Sequence, residues 1–171
     1  MGGLTVAVAL HRRGWQVTVC ERAPEPPAAG AGIVLAPNAL RAFDAVGSDP
    51  TGPAVRAVPA AIGGFRRPDG DWLSRADTAA LTARYGTLPL AVHRTALAAG
   101  LADALPAAAI RYGAAVTGVD DTTGGGRPVV HTTAGDLDAD VVIAADGIHS
   151  APRSAHFPDH KPVPTGVEAR C

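Results

Sequence analysis

Four places in this 171-residue sequence hold residue types whose spacing could do chemistry. Asp146-Gly147 follows a short apolar run, Val141–Ala145, within the stretch Asp140–Arg153, DVVIAADGIHSAPR. In an open α/β sheet the crevice past the carboxyl end of a strand is where ligands sit. A carboxylate there can take a hydrogen bond from a ligand, and the glycine lets the backbone pass close to it. Glu21 ends a second run, Trp15–Cys20, with Arg22 behind it. Arg94 opens a helical stretch, where a cation opposes the helix dipole and calls for an anion, either a protein carboxylate or a ligand phosphate. Gly2-Gly3 stand at the start of another helical stretch, whose free N–H groups suit a phosphate. Each place also has a plainer reading: an Asp-Gly turn, a strand end, a surface ion pair, and a helix that merely begins with glycines.

The elements that must position these residues follow from the pattern. Leu4–Arg13 reads as a helix closed by Gly14, and Trp15–Cys20 as a strand by its alternation of Val with polar residues. Helix, glycine, strand and terminal acid form the second half of a βαβ dinucleotide unit, with the acid placed for a ribose hydroxyl. Gly30–Asn38, GAGIVLAPN, reads as backbone lying close against something flat or phosphorylated, or else as a flexible loop. A helix follows over Ala39–Val46, closing at Gly47. Ser48–Pro59 reads as a linker, Ile62–Arg67 and Asp71–Ser74 as a hairpin about Pro68-Asp69-Gly70, and Asp77–Gly86 as a helix or loop. Leu88–Val92 is a strand, and Thr95–Leu105 a helix with Leu97, Leu101 and Leu105 on one face. Strand pieces at Ile110–Tyr112, Ala114–Asp120, Pro128–Thr133 and Leu137, with a turn over Thr122–Arg127, make a meander leading to Val141. Val141–Ala145 itself reads as a strand buried on both faces, and Ser150 as the cap of a helical turn reaching Arg153.

Composition narrows the function classes. A net charge of −1, one lysine and no basic cluster argue against nucleic acid as a partner. No apolar run is long enough for a bilayer and no leader pattern opens the chain, so no membrane role is expected. Cys20 and Cys171, far apart, fit a reducing cytoplasmic setting, with Cys20 packing inside its strand. The six histidines share no metal-ligand spacing, and Pro158 between His156 and His160 disfavours a helical pair, so no metal is expected.

Taken in order, Gly2-Gly3-Leu4, Glu21-Arg22-Ala23-Pro24, GAGIVLAPNALRAFDAVG, His93-Arg94, AADGIHSAPR, then Thr165-Gly166 and Arg170 resemble one family over most of the chain. It is that of the single-component FAD-dependent aromatic hydroxylases, the salicylate hydroxylase-like and p-hydroxybenzoate hydroxylase-like flavoprotein monooxygenases. The resemblance implies an α/β fold: a Rossmann-like FAD-binding domain, incomplete, lacking the first strand and the C-terminal part. It implies residues 1–53 and 92–160 in the FAD-binding domain, 54–91 in the substrate-domain sheet, and 161–171 at the start of the main substrate domain. Gly2 and Gly3 would then belong to the dinucleotide fingerprint, and Glu21 with Arg22 to the adenosine ribose site. Arg94 would contact the flavin cofactor, and Asp146-Gly147 would be a motif serving FAD and NAD(P)H. The family reaction is NAD(P)H- and O2-dependent hydroxylation of a small aromatic molecule through a flavin hydroperoxide.

Departures from the family pattern shape the expectation. The first strand and two fingerprint glycines have no counterpart, Ala145 replaces a glycine, and the family's later Gly-Asp motif is absent. The expectation is therefore a fragment with weak or no FAD binding by itself, in which no residue is assigned as acid, base or nucleophile. Two other readings stand beside it: a related FAD-dependent reductase, halogenase or epoxidase, and a non-catalytic remnant or binding module. A plain nicotinamide-dependent dehydrogenase fits less well, because the antiparallel meander breaks its strand-helix alternation.

Overall fold

A computed structural model describes residues 1–49, 58–59, 63–120 and 125–166. In chain order its elements are α1 (Gly2–His11), β1 (Val19–Glu21), β2 (Gly32–Leu35), α2 (Pro37–Ala45), β3 (Val58–Pro59), β4 (Gly64–Arg66) and β5 (Trp72–Arg75). They continue with α3 (Thr78–Tyr85), β6 (Leu90–His93), α4 (Arg94–Asp103), β7 (Ile110–Tyr112), β8 (Val116–Asp120), β9 (Val129–Thr132), β10 (Leu137–Asp138) and α5 (Ala151–His156). Ile62, most of the linker stretch, the start of the turn at Thr122, and Arg170 and Cys171 lie outside the described residues. The chain divides into two compact units, Met1–Ala28 with Leu101–Cys171, and Ala29–Gly100.

In the first unit α1 forms from a run of Leu, Val and Ala and stops where Gly14 takes φ +84°, a conformation cheap only for glycine. Gly14 N–H then reaches the His11 carbonyl at 2.9 Å, and Trp15 N–H the Leu10 carbonyl at 3.2 Å. Ala7 and Val8 are the buried face of this helix. The strand expected from Trp15 is shorter than its alternation suggests. Only Val19, Cys20 and Glu21 meet a partner, pairing in parallel with Ile110, Arg111 and Tyr112 of β7. β8, β9 and β10 form an antiparallel meander, with Val119 opposite Val130 and Leu137 opposite Val130 on its other side.

The expected strand at Val141–Ala145 needs correction. It joins no ladder, and Val141 and Ile143 are 60% and 49% exposed. Apolar, β-branched sequence favours extended backbone, but a strand is held by a neighbour's N–H and C=O groups. No described strand lies in that position, so the segment is neither paired nor buried on both faces.

In the second unit β2, β6 and β3 make an antiparallel sheet with β6 in the middle. β2 pairs Gly32 with His93, Ile33 with Val92, Val34 with Ala91 and Leu35 with Leu90. The sequence reading left these residues in a glycine-rich segment; the flanking glycines hid a four-residue strand. α2 begins two residues earlier than expected because Pro37 occupies its first turn, where the missing N–H costs nothing. Its Leu40 and Phe43 are buried. β4 and β5 form the expected hairpin, with Arg66 4.0 Å over the Trp72 ring. α3 resolves as a helix: Asp77 Oδ1 accepts from Ala80 N–H at 3.0 Å, and Gly86 closes it.

Leu97 of α4 is 2% exposed, and Leu101 and Leu105 are buried at the expected spacing. Leu97→Ala should therefore lower stability by about 2–5 kcal/mol in urea unfolding. Leu73→Ala on the exposed side of β5 should stay within about 0.5 kcal/mol.

Candidate functional site

Of the residues singled out in the first unit, Gly2 and Gly3 come together with the segment before Asp146 at the first turn of α1. The first helical hydrogen bond of α1 runs from Thr5 N–H to the Met1 carbonyl at 3.0 Å, so the N–H groups of Gly2, Gly3 and Leu4 stand ahead of the helical ladder. Gly3 is packed tightly: a Cβ built on it would lie 3.3 Å from the Ala145 Cβ. This brings the first turn of α1 against the residue that precedes Asp146. β1 follows α1 after seven residues, and the two elements pack on each other.

Two carboxylates of this unit, Glu21 and Asp146, are each half engaged. Glu21 is exposed, and its Oε1 accepts from Ala23 N–H at 2.9 Å. Asp146 is exposed, and its Oδ2 accepts from Ala151 N–H at 3.0 Å, at the start of α5. Each keeps a second oxygen without a partner among the described residues. Such oxygens can accept from ligand hydroxyls, while the open turn of α1 can donate to a phosphate. Arg22 is exposed beside Glu21.

The loop after Asp146 is closed by its own bonds. Gly147 has φ +86°, which an L side chain would rarely adopt. Its carbonyl accepts from Ser150 N–H at 3.2 Å, and Ser150 Oγ, in a residue only 4% exposed, accepts from Arg153 N–H at 3.1 Å. Arg153 Nη2 donates to the Ile148 carbonyl. Ser150 thus caps α5 as its sequence suggests. The contributions of Arg153 and of Asp146 as a second cap were not legible, since both depend on how the chain folds back over the turn.

Arg94 lies in the other unit and is described there by itself. Its backbone N–H donates to the Ala31 carbonyl at 3.2 Å. A Cβ on Gly30 would come 2.8 Å from Thr95 Cγ2 and 3.7 Å from Arg94 Cβ. The glycine-rich segment therefore lies directly on the first turn of α4, with the exposed Arg94 side chain beside it. The sequence suggests backbone lying close against something flat or phosphorylated; what Gly30 lies against in the structure is the first turn of α4.

Nothing at either place is set up as a nucleophile. Burial pushes the Cys20 thiol up, with Arg111 opposing, so it stays protonated at neutral pH. Among the described residues no three His, Cys, Asp or Glu side chains are gathered as metal ligands. No helix among them is long and apolar enough to cross a membrane.

Comparison with known proteins places this geometry. Residues 1–161 match the family described as FAD binding domain. The chain is 36% identical over 172 residues to a 3-amino-4-hydroxybenzoate 2-monooxygenase of Streptomyces cremeus, covering 94% of this chain and 43% of that protein. It is 32% identical over 152 residues to a 6-hydroxynicotinate 3-monooxygenase of Pseudomonas fluorescens, covering 88% and 39% respectively. Among solved structures it is similar to Klebsiella pneumoniae HpxO complexed with FAD and uric acid. That similarity has a TM-score of 0.72 at 28% identity, over 90% of this chain and 39% of the other. The chain thus spans well under half the length of the relatives it matches.

Asp146→Ala removes the acceptor for Ala151 N–H, with an expected local cost of about 0.5–2 kcal/mol. Amide exchange at Ala151 should accelerate accordingly, whereas Asp146→Asn, which keeps an accepting oxygen, should leave it nearly unchanged.

Proposed function

The chain belongs to the FAD binding domain family, and from that premise we propose that it builds the adenosine-side part of the cofactor site of a flavin-dependent aromatic hydroxylase. The observation that carries this reading is the seating of Gly3 on Ala145, which sets the open N-terminus of α1 beside Asp146. A Cβ at position 3 would require its neighbour to give by a few tenths of an ångström, so the close approach fits a site in which backbone N–H groups must reach a phosphate. The chain's curated relatives include FAD-dependent monooxygenases, and its solved neighbours include FAD complexes.

In this reading Gly2 and Gly3 leave the first N–H groups of α1 free for the pyrophosphate. Glu21 accepts from the adenosine ribose, with Arg22 beside it, and the free oxygen of Asp146 accepts from the cofactor where Gly147 permits close approach. Arg94, at the start of α4, contributes a cation toward an anionic part of the flavin. When bound, FAD supplies the redox chemistry, accepting a hydride from NAD(P)H and activating O2 for transfer to the ring. The protein's share is to hold the cofactor, orient it and exclude water. Residues 1–53 and 92–160 would belong to the cofactor-binding part, and 54–91 and 161–171 to the part that serves a small aromatic substrate, in a cytoplasmic setting.

A non-catalytic binding module is the second reading. The uncovered Val141 and Ile143 favour it, because an unpaired extended segment recruits another strand.

Flavin titration of this chain followed by fluorescence quenching tests the proposal. FAD should bind weakly yet about tenfold or more tighter than FMN, since only FAD carries the adenosine half, a difference of about 1.4 kcal/mol. Glu21→Ala should erase most of that preference. Equal affinities for FAD and FMN, or a preference indifferent to Glu21→Ala, would reject the reading and favour the binding module.

A further inference from the structure

His131, on β9, is held between two carboxylates that come from different parts of the meander. Its Nε2 lies 3.0 Å from Asp120 Oδ2, at the end of β8, and its Nδ1 lies 3.0 Å from Asp136 Oδ1, ahead of β10. A carboxylate oxygen can only accept, and a neutral imidazole has one N–H. Both contacts can therefore be hydrogen bonds only when the ring carries both protons.

We propose that the β8–β10 meander contains a proton-operated clamp, in which the imidazolium of His131 ties the end of β8 to the turn before β10 and releases one of them on deprotonation. The proposal is independent of flavin binding. Backbone geometry supports it. Thr117 Oγ1 donates to the His131 carbonyl at 3.2 Å, and Gly118 faces the ring's Cδ2 edge without a side chain to obstruct it. The turn carrying Asp136 is short and tight, with Thr132 Oγ1 donating to the Gly135 carbonyl at 2.6 Å. Among the described residues, the charges acting on the ring are Asp120 from β8 and Asp136 from the turn. Arg153 of α5, the helix packed on β8, is turned to the Ile148 carbonyl. Arg127 is paired with Asp140 at 3.0 Å.

Both carboxylates raise the proton affinity of His131 above the ordinary histidine value, the Asp120 hydrogen bond most. A group whose folded pKa is raised contributes stability that is full below its unfolded pKa, near 6.5, and is lost as pH rises through the folded value. The ring and both carboxylates are partly open to solvent, so salt weakens the clamp.

The test is a pH titration of the histidine ring nitrogens by long-range 15N NMR on the full chain. His131 should titrate above the other five histidines and, below its midpoint, show the signature of a doubly protonated ring. Asp120→Asn and Asp136→Asn, nearly isosteric, should each lower its midpoint, and the double variant should bring it back among the others. The urea midpoint should fall between pH 6 and pH 8 in the parent chain and fall less in His131→Gln. Titration of His131 with the other histidines, or a midpoint unmoved by either Asn substitution, would overturn the proposal. A single tautomer at low pH would do the same.

Discussion

The contact on which the first unit depends is between two small residues, Gly3 and Ala145. It allows the first turn of a helix to lie on an extended segment with no side chain between them. Everything offered for binding at that end follows from it. The unladdered N–H groups of α1 lie beside Ala145, and Asp146 comes next in the chain. A side chain at position 3 would require Ala145 to give by a few tenths of an ångström.

The same arrangement shows how the chain divides labour between backbone and side chains. Glu21 and Asp146 each accept from a nearby backbone N–H with one oxygen and keep the other without a partner among the described residues. The bonded oxygen fixes the rotamer, so the free oxygen presents itself with little further loss of side-chain entropy. In the other unit the pattern recurs with different parts. Gly30 leaves room for the start of α4, and Ala31 binds the Arg94 N–H, so the arginine's backbone is fixed while its side chain remains exposed.

Much of this was legible in the sequence because the signals were local. Asp77 and Gly86 bound α3, Ser150 caps α5, and the Leu97 and Leu101 spacing gives the buried face of α4, with Leu105 buried just past its end. The nearness of Glu21 to a strand end was legible too, although β1 proved to be three residues because ladder length depends on the partner. What could not be read required long-range knowledge. Val141–Ala145 has the sequence of a buried strand and none of its contacts. β2 has the contacts of a strand behind a glycine-rich sequence. The two carboxylates on His131 lie eleven and five residues away, and only the meander's register brings both to the ring.

The account's central claim is that the cofactor's adenosine half meets the start of α1, Glu21 and the Asp146 loop. Backbone amide chemical-shift mapping on adding ADP, the half without flavin, addresses it most directly. The account predicts shifts concentrated at Gly2–Thr5, Glu21–Ala23 and Asp146–Gly147, with β8–β10 silent. Shifts centred elsewhere, such as the groove lined by His11, Trp15 and Pro106, would contradict it.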